Sequence, residues 1–108
     1  MKKELSICPV ETTLSLIGDK WKVFILRDLI GGTKRFGELK KSINPISQKV
    51  LTQQLKIMAE DGLVVRKVYA EVPPRVEYSL TEVGLSLKPI LDSMWRWGEE
   101  YKAKIKEE

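Results

Sequence analysis

The 108-residue sequence predicts a mainly helical domain with one small β-hairpin, an α+β fold class. Apolar residues recur at helical spacing in five segments, whereas β-branched and aromatic residues concentrate between residues 63 and 80. With 43% hydrophobic residues, a chain of this length can support one packed core but not two. We therefore expect a single domain that spans residues 1–108.

The first two helices are predicted from the residues at their ends. Pro9 suits the first position of a helix that Gly18 ends. Asp19 is a good cap for a second helix over residues 20–30, in which seven of eleven residues are apolar. Because this helix has so little polar surface, we expect it to lie at the centre of the core.

A short third helix over about residues 35–42 is followed by a turn at Asn44-Pro45-Ile46 and by a longer fourth helix. Ser47 caps the fourth helix, which reaches about Asp61 and is closed by Gly62. The apolar residues that should pack inward are Leu51, Leu55 and Met58. The outward face carries amide, hydroxyl and ammonium groups, from Gln48, Lys49, Thr52, Gln53 and Lys56.

A hairpin and a last helix complete the chain. Strands are predicted on either side of Pro73-Pro74, because proline cannot donate a hydrogen bond to a strand ladder. Thr81 then caps a long helix over about residues 82–106. Pro89 lies inside this helix, and we expect it to kink the helix near Leu85 or to split it into two pieces.

The order of these elements predicts a winged helix-turn-helix. Residues 35–61 form the helix-turn-helix and residues 63–80 form the wing hairpin. Helices at the N- and C-termini flank this unit, and the helix over residues 82–106 is expected to mediate dimerisation. In such folds, the second helix of the helix-turn-helix enters the major groove of DNA.

The distribution of charge agrees with this fold. The formal net charge is +4, residues 33–80 carry nine basic and five acidic side chains, and residues 39–59 contain no acidic residue. A basic stretch of this kind fits either a solvated surface or a surface that faces phosphates. Because it coincides with the helix-turn-helix, we expect binding to double-stranded DNA. The alternative is a winged-helix protein-interaction adaptor without specific DNA binding.

The residues expected to contact DNA lie on the helix-turn-helix and on the wing. Amides of the fourth helix can pair with adenine, its first lysine with guanine, and its threonine methyl group with thymine. Other basic residues would contact phosphates, and Arg75 beside the Pro-Pro tip is a candidate for the minor groove. The full set is Lys34, Arg35, Lys40, Ser47, Gln48, Lys49, Thr52, Gln53, Lys56, Arg66, Lys67 and Arg75. For each lysine, a solvated side chain is the alternative.

The last helix carries more apolar surface than one small core needs. Its apolar residues repeat at heptad spacing, and two of the three tryptophans lie on it. A homodimer interface accounts for this surface, and a single broad core face is the alternative. The expected interface residues are Val10, Leu14, Leu91, Met94, Trp95, Trp97 and Tyr101.

The composition excludes several classes of function. Without histidine and with a single cysteine, the chain lacks the residues for Ser-His-Asp or Cys-His catalysis and for the usual zinc sites. We expect no enzymatic activity, no metal site and no cofactor, and no residue pattern identifies a small-molecule effector. We find neither a secretory signal nor a membrane-spanning run, so we expect a cytoplasmic, nucleoid-associated protein.

Six segments occur in the order typical of one known family. They are Cys8-Pro9-Val10-Glu11, Ile17-Gly18-Asp19-Lys20-Trp21, Arg35-Phe36-Gly37-Glu38-Leu39, Ile46-Ser47-Gln48-Lys49-Val50-Leu51, Asp61-Gly62-Leu63-Val64 and Glu71-Val72-Pro73-Pro74-Arg75-Val76-Glu77-Tyr78-Ser79-Leu80-Thr81. Over residues 8 to about 98, the chain resembles the HxlR-type winged helix-turn-helix transcriptional regulators, relatives of the MarR group. The resemblance implies a dimeric bacterial regulator that binds an inverted repeat in a promoter.

Cys8 precedes Pro9 at the predicted start of the first helix. Some members of the resembled family sense electrophiles or oxidants through a cysteine in this dipeptide. With no second cysteine, sensing of redox or electrophile stress would proceed by alkylation, by a mixed disulfide with a small thiol, or by a bridge between subunits. The alternative is an inert, small apolar side chain.

Overall fold

The computed structural model describes residues 4–107, the last of them by its backbone alone, so residues 1–3 and 108 of the expected domain lie outside the described residues. The helices and strands are α1 (Pro9–Ile17), α2 (Lys20–Ile30), β1 (Lys34–Arg35), α3 (Phe36–Ser42), α4 (Gln48–Glu60), β2 (Val64–Tyr69), β3 (Arg75–Leu80), α5 (Glu82–Leu85) and α6 (Lys88–Glu107). The fold is a mainly helical winged helix-turn-helix with a small antiparallel sheet.

Side-chain caps begin three of the helices, as the sequence predicts. The Asp19 carboxylate accepts a hydrogen bond of 2.7 Å from the amide two residues further on. The hydroxyls of Ser47 and Thr81 each accept one from the amide three residues further on, at 3.1 and 3.0 Å. These bonds satisfy amides that have no partner within the helix itself, which fixes where α2, α4 and α5 begin.

The core forms around α2, which confirms its predicted central position. Ile25 and Leu26 are fully buried, and α2 packs against α1, α3, α4, α6 and β3. The buried apolar residues of the core are Ile17, Ile25, Leu26, Leu29, Leu39, Ile43, Ile46, Leu51, Leu55, Met58, Leu63, Val64, Tyr78 and Leu87.

The sheet has three strands in the order β1-β3-β2, one strand more than the predicted hairpin. In β1, Lys34 pairs with Tyr78 and Arg35 pairs with Glu77. Two consecutive basic residues show no alternation of apolar and polar positions, so the sequence carries no local signal for a strand here. The second edge of β3 supplies the hydrogen-bonding partner that makes this short segment a strand.

The predicted last helix is split into α5 and α6, which is the second of the two outcomes expected from Pro89. In a continuous helix, Pro89 could not donate to the carbonyl of Leu85. The break at Ser86 and Leu87 places Pro89 in the first turn of α6, where no such donor is needed. The heptad spacing predicted for the last helix is therefore interrupted at this break, and the predicted interface residues from Leu91 onward lie on α6.

Candidate nucleic-acid interface

The turn between α3 and α4 is anchored in the core. Ile43 and Ile46, near the two ends of the turn, are each 3% exposed, and Leu39 of α3 is fully buried. The predicted inward residues Leu51, Leu55 and Met58 are buried as well. Close packing at these positions gives α4 one orientation relative to the rest of the domain.

The outward face of α4 is polar and free. Gln48, Lys49, Thr52, Gln53 and Lys56 are all exposed. Within the described residues, none of these five side chains is held by an intramolecular hydrogen bond or ion pair. Because they have no intramolecular partner, these amide, hydroxyl and ammonium groups can form hydrogen bonds with acceptors and donors on base edges.

Lysines around this face form no ion pair with a carboxylate among the described residues. Lys40, Lys41, Lys49 and Lys56 are exposed, and no carboxylate in the described part of the chain pairs with them. The helix-turn-helix therefore presents uncompensated positive charge, which attracts a polyanion and releases its counterions on binding.

The side chain of Gln54, which the sequence analysis missed, ties α4 to the start of α2. Its amide nitrogen Nε2 donates to Oδ2 of Asp19 at 3.5 Å, while Oδ1 of Asp19 caps α2. A glutamine on the flank of an amphipathic helix gives no sign of a partner 35 residues earlier in the chain, so only the packing of α4 against α2 identifies this link.

Strand register separates the two basic residues predicted to support Arg75. Arg66 lies opposite Tyr78, whereas Lys67 lies opposite Glu77. Since successive side chains of a strand point to opposite faces, Arg66 shares the face of buried Tyr78 and Lys67 shares the outer face of the wing. Lys67 therefore lies on the same face of the sheet as Arg75, whereas Arg66 lies on the opposite face.

Arg75 is held by its own hairpin. Its Nη2 lies 3.1 Å from Oε2 of Glu71, and its Nε lies 3.7 Å from Oε2 of Glu77. The guanidinium also stacks over the Tyr69 ring, 3.9 Å from the ring centroid, and Lys67 lies 5.0 Å from the same centroid. Neither carboxylate is among the site residues predicted from the sequence, although strand alternation alone places residues 75 and 77 on one face.

The two basic residues of β1 differ in accessibility. Lys34 is half-buried on the Tyr78 side of the sheet, whereas the side chain of Arg35 is exposed. The main-chain amide of Arg35 donates to Oε1 of Glu38 at 2.8 Å, which ties the start of α3 to the edge strand.

The predicted interface residues on α1 and α6 are mostly exposed. Val10 and Leu14 of α1 are 66% and 55% exposed, and Trp95 and Trp97 of α6 are 66% and 67% exposed. Leu91 differs, because it is partly buried against the core. The remaining two predicted residues, Met94 and Tyr101, are 47% and 53% exposed.

Cys8 is exposed and lies at the N-cap position of α1, directly before Pro9. Its thiol does not cap the helix; its amide donates to Oγ of Ser6 at 3.1 Å. Ile7 beside it is fully exposed. A reagent in solution can therefore reach the sulfur.

None of the helices among residues 4–107 has both the length and the hydropathy that a bilayer crossing requires.

Comparison with known proteins agrees with this geometry. The family model described as HxlR-like helix-turn-helix matches residues 16–106. YdeP of Bacillus subtilis (strain 168), described as an uncharacterized HTH-type transcriptional regulator, is 53% identical over 98 residues, which are 91% of this chain and 77% of YdeP.

Two solved structures extend the comparison. The redox regulator HypR in its reduced form has a TM-score of 0.87 and 46% identity, and covers 94% of this chain and all of that one. A regulator of the MarR family from Porphyromonas gingivalis W83 has a TM-score of 0.83 and 40% identity, over 93% of this chain and 98% of the other.

Proposed function

Because this chain belongs to the HxlR-like helix-turn-helix family, we propose that it acts as a homodimer that binds an inverted-repeat operator through α4 and the wing. The family and its curated relatives are transcriptional regulators, and the chain is a DNA-binding regulator of transcription rather than an enzyme. One observation carries the proposal for the operator: the exposed polar face of α4 has no carboxylate before Glu60, and its five predicted DNA-binding side chains have no intramolecular partner among the described residues.

In the proposed complex, α4 lies in the major groove. Gln48 and Gln53 pair with adenine, Lys49 reaches the acceptors of guanine, and the methyl group of Thr52 contacts a thymine methyl group. Ser47, at the start of α4, lies against a phosphate, where its hydroxyl and the positive end of a 13-residue helix favour an anion.

The surrounding basic residues make the contacts that do not depend on sequence. Lys34, Arg35, Lys40 and Lys56 bind phosphates, which positions α4 in its groove. On the wing, Arg75 is the candidate for the minor groove, with Arg66 and Lys67 on opposite faces of β2 contacting the adjacent backbone.

The shape of the chain supports a homodimer. Its radius of gyration is 15.6 Å, whereas a compact chain of this length has about 13 Å. Part of the chain that is poorly packed is α6, a 20-residue helix without a single fully buried residue among those described. A helix this exposed gains its packing from outside the subunit, because helices in water are stabilised mainly by burial of an apolar face.

The exposed apolar surface of α6 continues into a groove between α6 and α2. Trp95 and Met94 of α6 line a cavity of about 570 Å³, whose opposite wall includes Val23 and Phe24 of α2. Further along α6, Trp97 stacks on Tyr101 at a centroid distance of 5.3 Å. Aromatic residues and methionine in such a cluster are typical of interface cores.

Two copies related by a two-fold axis present two α4 helices to DNA. A two-fold axis in the protein requires a matching symmetry in the operator, so each α4 reads one half of an inverted repeat. One domain of this size contacts a short half-site, and the second copy supplies the affinity that specific binding needs.

Redox regulation through Cys8 completes the proposal. The exposed sulfur at the start of α1 supports it, and HypR, described as a redox regulator, is 46% identical to this chain. In the oxidation, two Cys8 thiols of one dimer lose two protons and two electrons to an oxidant and form a disulfide, or one thiol does so with a small thiol. Either product lies next to the proposed interface residue Val10.

Two alanine substitutions test the assignment of α4. A duplex selected by the wild-type protein from a random-sequence pool provides the site, and its single-base variants report specificity. We expect Gln53→Ala to lose about 1–3 kcal/mol of binding free energy at one base position only. Lys56→Ala should weaken binding to every duplex and reduce the salt slope by about 1. Lys102→Ala on α6 removes the same charge and serves as the control.

The results of these measurements distinguish a sequence-specific DNA-binding protein from a protein-interaction adaptor. Selection of no sequence, together with affinity that does not depend on salt, would favour the protein-interaction adaptor. Equal, sequence-independent losses for the Gln53 and Lys56 variants would contradict the placement of α4 against base edges.

A further inference from the structure

The wing tip contains few charged groups that could meet DNA. The connection between β2 and β3 covers residues 70–74, and Glu71 is its only ionisable residue. Val72 at the tip is fully exposed. Arg75 is therefore the basic residue closest to the tip, and the wing has no other cation there to contact a groove.

Arg75 is not free to make that contact. Its guanidinium is sandwiched between the ring of Tyr69 and two carboxylates, and its side chain is only 29% exposed. This contrasts with the lysines around α4, which have no acidic partner within the described residues. DNA must therefore compete with the protein's own carboxylates for Arg75.

The restraint on Arg75 is incomplete. Its Nε lies 3.7 Å from Glu77, beyond hydrogen-bond distance, and it has no other acceptor among the described residues. Glu71 is half-exposed, so water and salt screen its pair with Arg75. A strongly negative surface that offers new acceptors can displace this carboxylate.

The negative electrostatic potential of a DNA groove depends on the DNA sequence. A narrow minor groove, as in A·T tracts, has an enhanced negative potential that attracts arginine, whereas a wider groove attracts it less. We propose that Glu71 is a specificity-determining residue: by holding Arg75, it limits the wing's contact to operators with a narrow minor groove beside the half-site. This inference rests on the proposed function.

Local geometry decides which of the two carboxylates DNA can displace from Arg75. Glu71 precedes Arg75 by four residues across the tip, whereas Glu77 lies on the central strand opposite both Arg35 and Lys67. Glu77 thus has Arg35 and Lys67 as cross-strand neighbours and also faces Arg75, so more than one basic residue lies near its carboxylate. Among the described residues, Glu71 pairs with Arg75 alone, so Glu71 is the carboxylate that can release the guanidinium.

The test is a double-mutant cycle of Glu71→Gln and Arg75→Gln in the full-length protein. The probes are the selected duplex with its flanks replaced either by A·T tracts or by G·C-rich sequence, and fluorescence anisotropy gives the affinities. Glu82→Gln removes the same charge from an exposed position of α5, which makes no ion pair within the described region, and is the control.

We expect the wild-type protein to prefer the A·T-flanked duplex. Glu71→Gln should bind the G·C-flanked duplex about two- to fivefold more tightly, the range that a screened ion pair represents, and so reduce the preference. Its salt slope on that duplex should steepen by about 1, because Arg75 then contacts a phosphate. Arg75→Gln should remove the preference, and Glu71→Gln should have no effect in that background.

Several results would overturn the inference. A wild-type protein without preference between the two flanks is one. An equal gain from Glu71→Gln with and without Arg75 is another, because it would mean that Glu71 merely repels DNA. If Gln53→Ala and Lys56→Ala behave as expected while Glu71→Gln has no effect, this inference fails and the proposed function stands. A wild-type protein that does not bind DNA overturns both.

Discussion

At the scale of single residues, a basic side chain can attract DNA more strongly when it has no intramolecular partner, whatever its chemical type. Lys56 and Arg75 are both basic residues proposed to contact DNA, yet of the two only Lys56 is free of intramolecular partners in the described structure. A guanidinium that already faces two carboxylates contributes less to the attraction of phosphates than a free ammonium group does. Residue type alone would rank the two equally.

Cys8 is the residue for which the proposed redox response makes a direct prediction. We expect diamide to change the affinity of the wild-type protein for its selected duplex, and dithiothreitol to restore it, because Cys8 is the only thiol in the chain. Cys8→Ser should bind the same duplex with an affinity that diamide does not alter. Gel electrophoresis without reductant and mass spectrometry then distinguish a bridge between subunits from a mixed disulfide.

An oxidant response that persists in Cys8→Ser would refute sensing through this thiol. The serine variant that has not been treated with diamide is the control for folding, since its binding should match that of the reduced wild-type protein.

At the scale of elements, α5 fixes the hairpin against the helical body. Thr81 caps α5 and its hydroxyl also donates to the carbonyl of Gly62 at 2.6 Å, which joins the end of α4 to the end of β3. Gly62 itself has a φ of +79°, a conformation that favours glycine. The chain thus turns sharply after α4 and returns to the same point after the wing.

The close approach of α5 to the hairpin predicts a stability effect. A Cβ atom on Gly84 would lie 2.2 Å from the carbonyl oxygen of Leu63, a contact that backbone atoms can relieve only by moving apart. Gly84→Ala should therefore lower the free energy of unfolding by about 1–3 kcal/mol, the usual cost of overpacking. Urea denaturation followed by circular dichroism measures this change.

Gly37→Ala is the matched control, because no atom lies within 4 Å of a Cβ at that exposed position of α3. It should leave stability unchanged or raise it by up to about 1 kcal/mol, since alanine favours helix over glycine. Equal effects of the two substitutions would show that the contact between α5 and Leu63 is looser than the structure indicates.

Prediction of elements from the sequence succeeded where the signal is local. Helix starts at Asp19, Ser47 and Thr81 follow from capping chemistry within three residues, and the sequence located all three. The sequence also predicts a kink or a split of the last helix, because Pro89 cannot donate to the carbonyl four residues earlier, and the structure shows the split at Ser86 and Leu87. The strand β1 was not predicted, because it depends on an edge of β3 about 40 residues later in the chain.

At the scale of the whole molecule, the domain is elongated along one axis. The domain measures 57 × 34 × 24 Å, and α6 carries its aromatic residues away from the core. Burial of this surface between two copies would remove a large apolar area from water, which is the main favourable contribution to protein association. The elongated shape is therefore consistent with the proposed homodimer.

A homodimer predicts a measurable mass. Light scattering at micromolar concentration should give about twice the chain mass of 12.4 kDa. Trp97→Glu should shift the protein to a monomer, because an unpaired carboxylate in an apolar interface is costly. Val72→Glu places the same charge on a fully exposed apolar residue of the wing tip and should leave the dimer intact.

A wild-type mass of 12.4 kDa under these conditions would contradict the dimer, and so would loss of the dimer in both variants, which would indicate a nonspecific effect of charge.

The candidate DNA-binding face was largely readable from the sequence. The acid-free stretch over residues 39–59 and the helical spacing of Leu51, Leu55 and Met58 together define which side of α4 points outward, and the structure exposes that side. The pairing of Arg75 was not readable in the same way, because it requires the distance across a turn as well as the order of residues.

The sequence by itself therefore determined the helices, the hairpin, the apolar face of α4 and the location of the positive charge, because periodicity and capping act over a few residues. Only the tertiary structure decided that β1 joins the sheet, that Glu71 and Glu77 hold Arg75, that Gly84 lies against Leu63, and that α6 extends from the core. These features depend on which distant segments meet in space, and that is set by the packing of the whole chain.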